Sequence, residues 1–310
     1  MNKKITVIML TLILLVILFV GCSNKAEDTP APEAYIPKEL TVQFFPSHHK
    51  DTLEEKVKPL EALLSKKLGI PVKISVATNF NSLIDAMASK QIDVGFLPPS
   101  AYVLAKDRGI ADILVQAQRY GVNEPSGKNT KDLVDYYRSI IVVKKDSNIK
   151  KLEDLKGKRI AFQDTSSASG YIWPIAEMKK AGINIKTDVE QVKIKGHDTA
   201  ILALLNDEVD AAAVFEDARN TVKEDIKDVF DKVVPIYFSK PIPNDTISVR
   251  SDMSAEWQVN IKDAFIDISK DPAGKKILND VYSHVGYISS NDSKFDIVRE
   301  YKRLVENTSP

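Results

Sequence analysis

Arg159-Ile160-Ala161-Phe162-Gln163-Asp164-Thr165-Ser166-Ser167-Ala168-Ser169-Gly170-Tyr171 is the stretch on which the reading of the chain turns. Its first four residues read as a buried strand. The apolar pattern from Ile172 to Ala181, stopped by Gly182, reads as a helix. A strand that enters a serine-rich turn and then a helix leaves backbone N–H groups free at the positive end of the helix dipole, which suits an anion. Ser166, Ser167 and Ser169 add hydroxyl donors, and Gly170 lets a ligand come close to the backbone. One serine would suffice to cap the helix; three in four residues favour a ligand.

Outward from this turn the pattern is α/β throughout. Strands are expected at Leu40–Phe44, Val72–Val76, Ile92–Leu97 and Ile113–Gln118. Helices are expected at Leu53–Leu68, Ser82–Ser89 and Ser100–Lys106, the first ended by Gly69 and Pro71. Such alternation argues for parallel sheets built from βαβ units. Gly121–Asp132 is polar and reads as a surface excursion, and Tyr137–Lys145 as one long strand. A second α/β series follows: Leu152–Leu155 helix, Arg159–Phe162 strand, the serine turn and its helix. It continues with strand Val189–Ile194, helix Thr199–Asn206, strand Val209–Phe215, helix Asp217–Asp225, then strands Val233–Phe238 and Thr246–Arg250. From Ala255 the pattern is mostly helical, with stops near Pro272 and Gly286.

Ile92-Asp93-Val94-Gly95-Phe96 and Val209-Asp210-Ala211-Ala212-Ala213 both place an acid second in an apolar strand after a helix, as two lobes of one architecture would. The chain crosses between them twice, near Tyr137–Lys145 and Pro235–Asp245. The expected division is residues 39–140 and 241–310 for one lobe and 141–240 for the other, with the ligand between them beyond the carboxyl ends of the strands.

At 310 residues the chain can bury a core in each lobe. Lys+Arg and Asp+Glu both number 43, a balance that offers nucleic acid no general field, so any anion site is local. The amino terminus stands apart. Lys3 and Lys4 precede the apolar run Ile5–Val20, and Gly21 and Cys22 follow it, as in a secretory signal over residues 1–21. Phe19–Cys22 resembles a bacterial lipobox, which implies cleavage before Cys22 and a lipid on its thiol. Cys22 is the only cysteine, so no internal disulfide forms. Residues 22–38, with Pro30, Pro32 and Pro37 among small and charged residues, have the composition of a disordered tether.

Among chemical candidates, His197 lies in Lys195-Gly196-His197-Asp198-Thr199, a second strand-to-helix turn of the same lobe. Asp217 opens the helix after Val209–Phe215, and Asp245 closes Pro241-Ile242-Pro243-Asn244-Asp245 at the second crossover. His48-His49 beside Asp51 lacks the spacing of a metal site. No Gly-x-Ser-x-Gly elbow, phosphate loop or dinucleotide glycine pattern occurs, so catalysis is not indicated.

Over roughly residues 40 to 290 the order of Asp164–Tyr171, Gly196-His197-Asp198 and Ile242-Pro243-Asn244-Asp245 resembles the phosphate/phosphite/phosphonate substrate-binding proteins of ABC transporters. That resemblance implies a type II periplasmic-binding-protein fold, hinged closure, delivery to a membrane permease, a monomer, no cofactor and no bond-making. It carries Ser167 and Ser169 to phosphonate-binding hydroxyls, His197 to a donor, and Tyr137 to a pocket tyrosine. Asp217 and Asp245 become the acids that meet an ammonium in the aminoalkylphosphonate branch. Three positions depart from that branch: Ala168 replaces a threonine, Asp217 a glutamate and Phe80 a tyrosine. A sulfonate or thiamine-precursor binder shares the architecture. A secreted hydrolase would need a nucleophile–base pair, and an adhesion or sensor domain an exposed partner surface.

Overall fold

Two β-sheets and a short ribbon organise the body that runs from Tyr35 onward. The computed structural model describes residues 34–45, 50–124 and 126–306. The expected signal, Cys22, most of the tether, and His48-His49 lie outside the described residues. In chain order the strands are β1 (Leu40–Phe44), β2 (Val72–Val76), β3 (Val94–Leu97), β4 (Ala111–Asn123), β5 (Lys128–Val134), β6 (Tyr136–Tyr137) and β7 (Ser139–Lys144). They continue with β8 (Arg159–Phe162), β9 (Glu190–Lys193), β10 (Ala211–Phe215), β11 (Val233–Phe238), β12 (Ile242–Pro243), β13 (Thr246–Arg250) and β14 (Gly286–Ser289). One sheet has the order β14-β4-β13-β3-β1-β2 with β5 on β4, and the other the order β11-β7-β10-β8-β9. Between them, β6 leads out of the first sheet and β12 leads back. They pair antiparallel, Ile242 against Tyr137.

Both sheets are mixed, which corrects the expectation of parallel ones. Helical crossovers make β1 parallel to β2 and β3, and β8 parallel to β9 and β10. β13, β14, β7 and β11 instead run antiparallel to their partners. β7 enters from the ribbon, β13 returns through it, and β14 follows a pair of helices, so no single crossover helix sets their direction.

Other differences have local causes. The expected helix Leu53–Leu68 is two, Lys50–Val57 and Pro59–Leu68, because Pro59 has no N–H to continue the ladder. Gly69, at φ 72°, closes the second. The polar excursion is a hairpin in which β4 runs on to Asn123 against β5; its many charged positions hid the alternation. The long strand breaks at Arg138, since β6 belongs to the ribbon and β7 to the second sheet. The helix expected from Asp217 is a 3-10 turn, Ala218–Val222, and β14 stands where only a helix stop was read. Tyr35, inside the expected tether, already bridges to Met253, with the Arg250 guanidinium 3.8 Å from its ring centroid.

The paired acids have a common structural task. Asp93 Oδ2 accepts the N–H of Thr41 on β1, and Asp210 Oδ2 accepts that of Arg159 on β8. Each carboxylate thus ties the start of a strand to its parallel neighbour. The helix after the serine turn, Trp173–Lys180, is buried on nearly every side because the C-terminal helix Asp296–Glu306 lies across it. Trp173 stacks on Tyr301 at 4.4 Å, and Glu177 accepts the hydroxyls of Tyr237 and Tyr301. The turn is therefore mounted on a fixed helix.

Candidate functional site

Where β8 ends, the chain folds back on itself through short-range hydrogen bonds. Asp164 Oδ1 accepts both the N–H and the hydroxyl of Ser166, and Ser167 Oγ accepts the N–H of Gly170 at 3.1 Å. The carbonyl of Ser167 takes the N–H groups of both Tyr171 and Ile172, which widens the first turn, Ala168–Ile172, into a π-helix. No hydrogen bond of the described residues takes up the N–H groups of Ala168 and Ser169. Ser167 is thus the cap, with its hydroxyl proton still to donate, and two backbone donors remain beside it. Gly170 serves packing rather than ligand approach: a Cβ there would come within 2.1 Å of Gln163 Cγ.

Gln163 sets a second turn against the first. Its Oε1 accepts the N–H of Gly196 at 2.9 Å, and its Nε2 donates to the Gly196 carbonyl at 3.3 Å. Gly196 has φ 98°, a conformation that excludes side chains, and caps the helix His197–Leu205. His197 is therefore the first residue of that helix, with its ring edge-on to Phe215 at 4.7 Å. Burial pushes its pKa down to about 4, against the pull of Asp198, so the imidazole is neutral at physiological pH. Its Nδ1 is buried without a partner.

The third component joins the lobes. Asp217, just after β10, is 7% exposed and pairs with Arg119 of β4 at 3.2 Å. Arg119 also donates to the carbonyl of Tyr282, and its guanidinium stands 5.2 Å from the ring centroid of Tyr137. Burial alone would lower the Arg119 pKa; the charges of Asp217, Asp245, Tyr137 and Glu216 outweigh it and raise the value. Asp245 Oδ2 meets His284 Nε2 at 3.2 Å, and His284 Nδ1 meets the Tyr287 hydroxyl. Burial raises the Tyr137 phenol, with Asp245 adding to the rise and a hydrogen bond from Ser169 opposing it. Glu216 is pushed up to about 7, by burial first and by Asp217 second, while Arg119 and Arg138 hold it down.

Ser169, Tyr137, Arg119, Asp217 and Asp245 thus form one electrostatic group; His197 is tied to the serine turn through Gly196 and Gln163, and the charge that acts on it is that of Asp198. Ser166 is held on Asp164 and has no recorded bond to that group. Phe80 packs on Phe45 at 5.6 Å in the aromatic cluster of the first lobe. Buried polar atoms without partners collect here: Arg119 Nε, His197 Nδ1, Glu216 Oε1 and both amide atoms of Asn244. Each costs on the order of 1–3 kcal/mol when left unpaired, so their clustering marks a place built for a polar ligand.

The family described as periplasmic substrate-binding proteins of phosphonate ABC transporters matches residues 42–295. The chain belongs to that family. It is 26% identical over 210 residues to the phosphate-import protein PhnD of Mycolicibacterium smegmatis, covering 63% of this chain and 61% of that relative. It is 26% identical over 254 residues to the phosphonates-binding periplasmic protein of Escherichia coli K12, covering 81% and 72%. Among solved structures it resembles PhnD1 of Prochlorococcus marinus in complex with methylphosphonate, at 20% identity and a TM-score of 0.70, with 87% of this chain and 99% of that one covered. The fold is the two-lobed type II fold of periplasmic binding proteins. Family and fold are those of solute-binding transport proteins, not enzymes. No helix among the described residues is long and apolar enough to cross a membrane.

Beside His284, the partner of Asp245, three residues of this arrangement escaped the sequence reading. Gln163 left one signal, a polar residue directly behind a buried strand. Glu216 was overshadowed by its neighbour Asp217. Arg119 sits in a strand where a basic side chain reads as solvent-facing; the Tyr282 carbonyl, the Tyr137 ring and Asp217 of the other sheet meet it and it is buried.

Proposed function

We propose that the chain is an extracytoplasmic solute-binding protein that takes a small phosphorus oxyanion, a phosphonate foremost, between its lobes and passes it to an ABC permease. The observation that carries this reading is the set of hydrogen-bonding groups left open near the serine turn: the N–H groups of Ala168 and Ser169, the Nε of Arg119 and the Nδ1 of His197. The serine turn follows the carboxyl end of β8 and His197 that of β9, the hydroxyl of Ser167 still has its proton to donate, and Arg119 comes from β4. Hydrogen bonds to a charged acceptor are the strong ones, and the helix dipole adds to them. The names of the Mycolicibacterium and Escherichia relatives, a phosphate importer and a phosphonate binder, support the same ligand class. Phosphate, phosphite, sulfonate and a thiamine precursor are the other ligands this architecture admits.

In this reading residues 39–140 and 241–310 form one lobe and 141–240 the other. Closure moves them about the β6–β12 ribbon, and the protein acts as a monomer. Cys22 carries a lipid that holds it at the outer face of the membrane. Taken without their partners, Asp217 and Asp245 would favour an aminoalkylphosphonate with its ammonium toward them; in the structure they hold Arg119 and His284. Which member of the class fits turns on Arg119.

Calorimetric titration with phosphate, phosphite, methylphosphonate and aminoethylphosphonate tests the reading. Saturable binding of at least one is expected, and binding of none removes it. For the anchor, Cys22→Ser is expected to release the protein from membranes or to block its processing. Unchanged retention with normal signal cleavage would contradict the lipid.

A further inference from the structure

Building on that reading of the site, we propose that Arg119 is the site's own cation: it engages Asp217, one of the two carboxylates that an ammonium-bearing ligand would need, and so fits the site to phosphorus oxyanions without an amino group.

The argument rests on which carboxylate oxygens remain free. An aminoalkylphosphonate needs two things at once, donors for its oxyanion and unpaired acids for its ammonium. Asp217 is one of those acids, yet its Oδ1 already holds Arg119 Nη1 at 3.2 Å, with both side chains about nine-tenths buried. The guanidinium is fixed from other directions as well, by the Tyr282 carbonyl on Nη2 and by the face of Tyr137. It does not swing free in the way a surface lysine would. Displacing it to admit an ammonium breaks a buried pair and leaves an uncompensated charge, which is costly in a poorly solvated interior. Asp245 is the second acid, and its Oδ2 meets His284. What it keeps is a carboxylate oxygen that can accept an O–H, the group that a singly protonated phosphite, phosphate or methylphosphonate presents.

Arg119 Nε completes the case. It is buried and without a partner, on a side chain whose other two nitrogens are engaged. A guanidinium that satisfies an acid with one edge and keeps a donor on the other can bridge carboxylate and oxyanion. An ammonium on the ligand would duplicate the charge Arg119 already supplies and would be repelled by it.

The test compares ligand preference rather than affinity alone, because a purely structural arginine would not move a ratio. Titration of the wild-type protein is expected to show methylphosphonate or phosphite held about tenfold tighter than aminoethylphosphonate, or more. In Arg119→Met the Asp217 carboxylate is released, and the ratio is expected to fall to parity or reverse. Should Arg119→Met not fold, Arg119→Gln reads the same point: it also removes the charge beside Asp217, and the ratio is again expected to fall toward parity. Wild-type preference for aminoethylphosphonate overturns the assignment of Arg119 alone, as does an equal loss for both ligands in Arg119→Met. Failure of every phosphorus compound to bind the wild type removes the phosphorus reading itself, and this assignment with it.

Discussion

Two buried arginine–aspartate pairs look alike on paper and differ in completeness. Arg250–Asp93 and Arg119–Asp217 both close at 3.2 Å, and in each pair both side chains are about nine-tenths buried or more. In the first, every strong donor finds an acceptor. Arg250 Nη1 meets Asp93, Nε and Nη2 meet the two oxygens of Asp252, and Tyr35 covers the guanidinium face. Asp93 meanwhile accepts the N–H and the hydroxyl of Thr41. In the second, Arg119 Nε has no partner, nor has Oε1 of the neighbouring Glu216. The complete pair lies within one lobe and fastens β1, β3 and β13. The incomplete pair spans the two lobes beside the serine turn. A buried ion pair is therefore no sign of function by itself; what it leaves unbonded is.

The largest expected effect separates the two pairs by removing both members of each. Arg250→Met with Asp93→Asn strips the bonds to Asp252 and Thr41 as well, and is expected to cost roughly 3–5 kcal/mol in urea unfolding. Arg119→Met with Asp217→Leu removes a pair with few other bonds, and is expected to cost no more than about 1 kcal/mol, since an apolar replacement of a buried pair is often near neutral. Equal losses would erase the distinction between scaffold and site.

Next in size is the pH dependence that the incomplete region imposes. Glu216 titrates at about 7 in the folded chain, above its ordinary 4.5. A carboxyl whose folded pKa is raised binds its proton more tightly folded than unfolded. Its contribution is therefore fully present below about pH 4.5 and is lost as pH rises through about 7, a change of roughly 3 kcal/mol. Glu216→Gln is expected to flatten unfolding free energy against pH across that window. An unchanged slope would mean that another group sets it.

Smaller again is the contrast within the serine turn. Ser169→Ala is expected to weaken ligand binding by about 1–3 kcal/mol, because its hydroxyl lies in the buried group with Tyr137. Ser166→Ala is expected to change binding by less than about 0.5 kcal/mol, since that hydroxyl is held on the exposed Asp164. Equal losses at both positions would place Ser166 on the ligand and sharpen the turn's description.

These contrasts explain how far the sequence could be read. β11 and β13 were legible to the residue, and the serine turn between strand and helix was legible as a place, because periodicity and turn chemistry are local. The acids Asp93 and Asp210 stood out as a repeated pattern, but their work of tying one strand's N–H to its neighbour is long-range and became visible only with the pairing. Asp217 and Asp245 were found as acids; their partners were not, because Arg119 and His284 lie far away in sequence. The argument for an ammonium rested on carboxylates read without those partners. Gly170 was found for a ligand and serves Gln163.

The measurement closest to the central claim is nitrogen NMR of the Arg119 Nε–H and the His197 ring during titration with methylphosphonate. Both are buried donors or acceptors without partners, and the account expects both signals to shift saturably, along one binding curve, as the oxyanion completes their hydrogen bonds. Saturable heat of binding with neither signal moved would place the ligand elsewhere and contradict the site described.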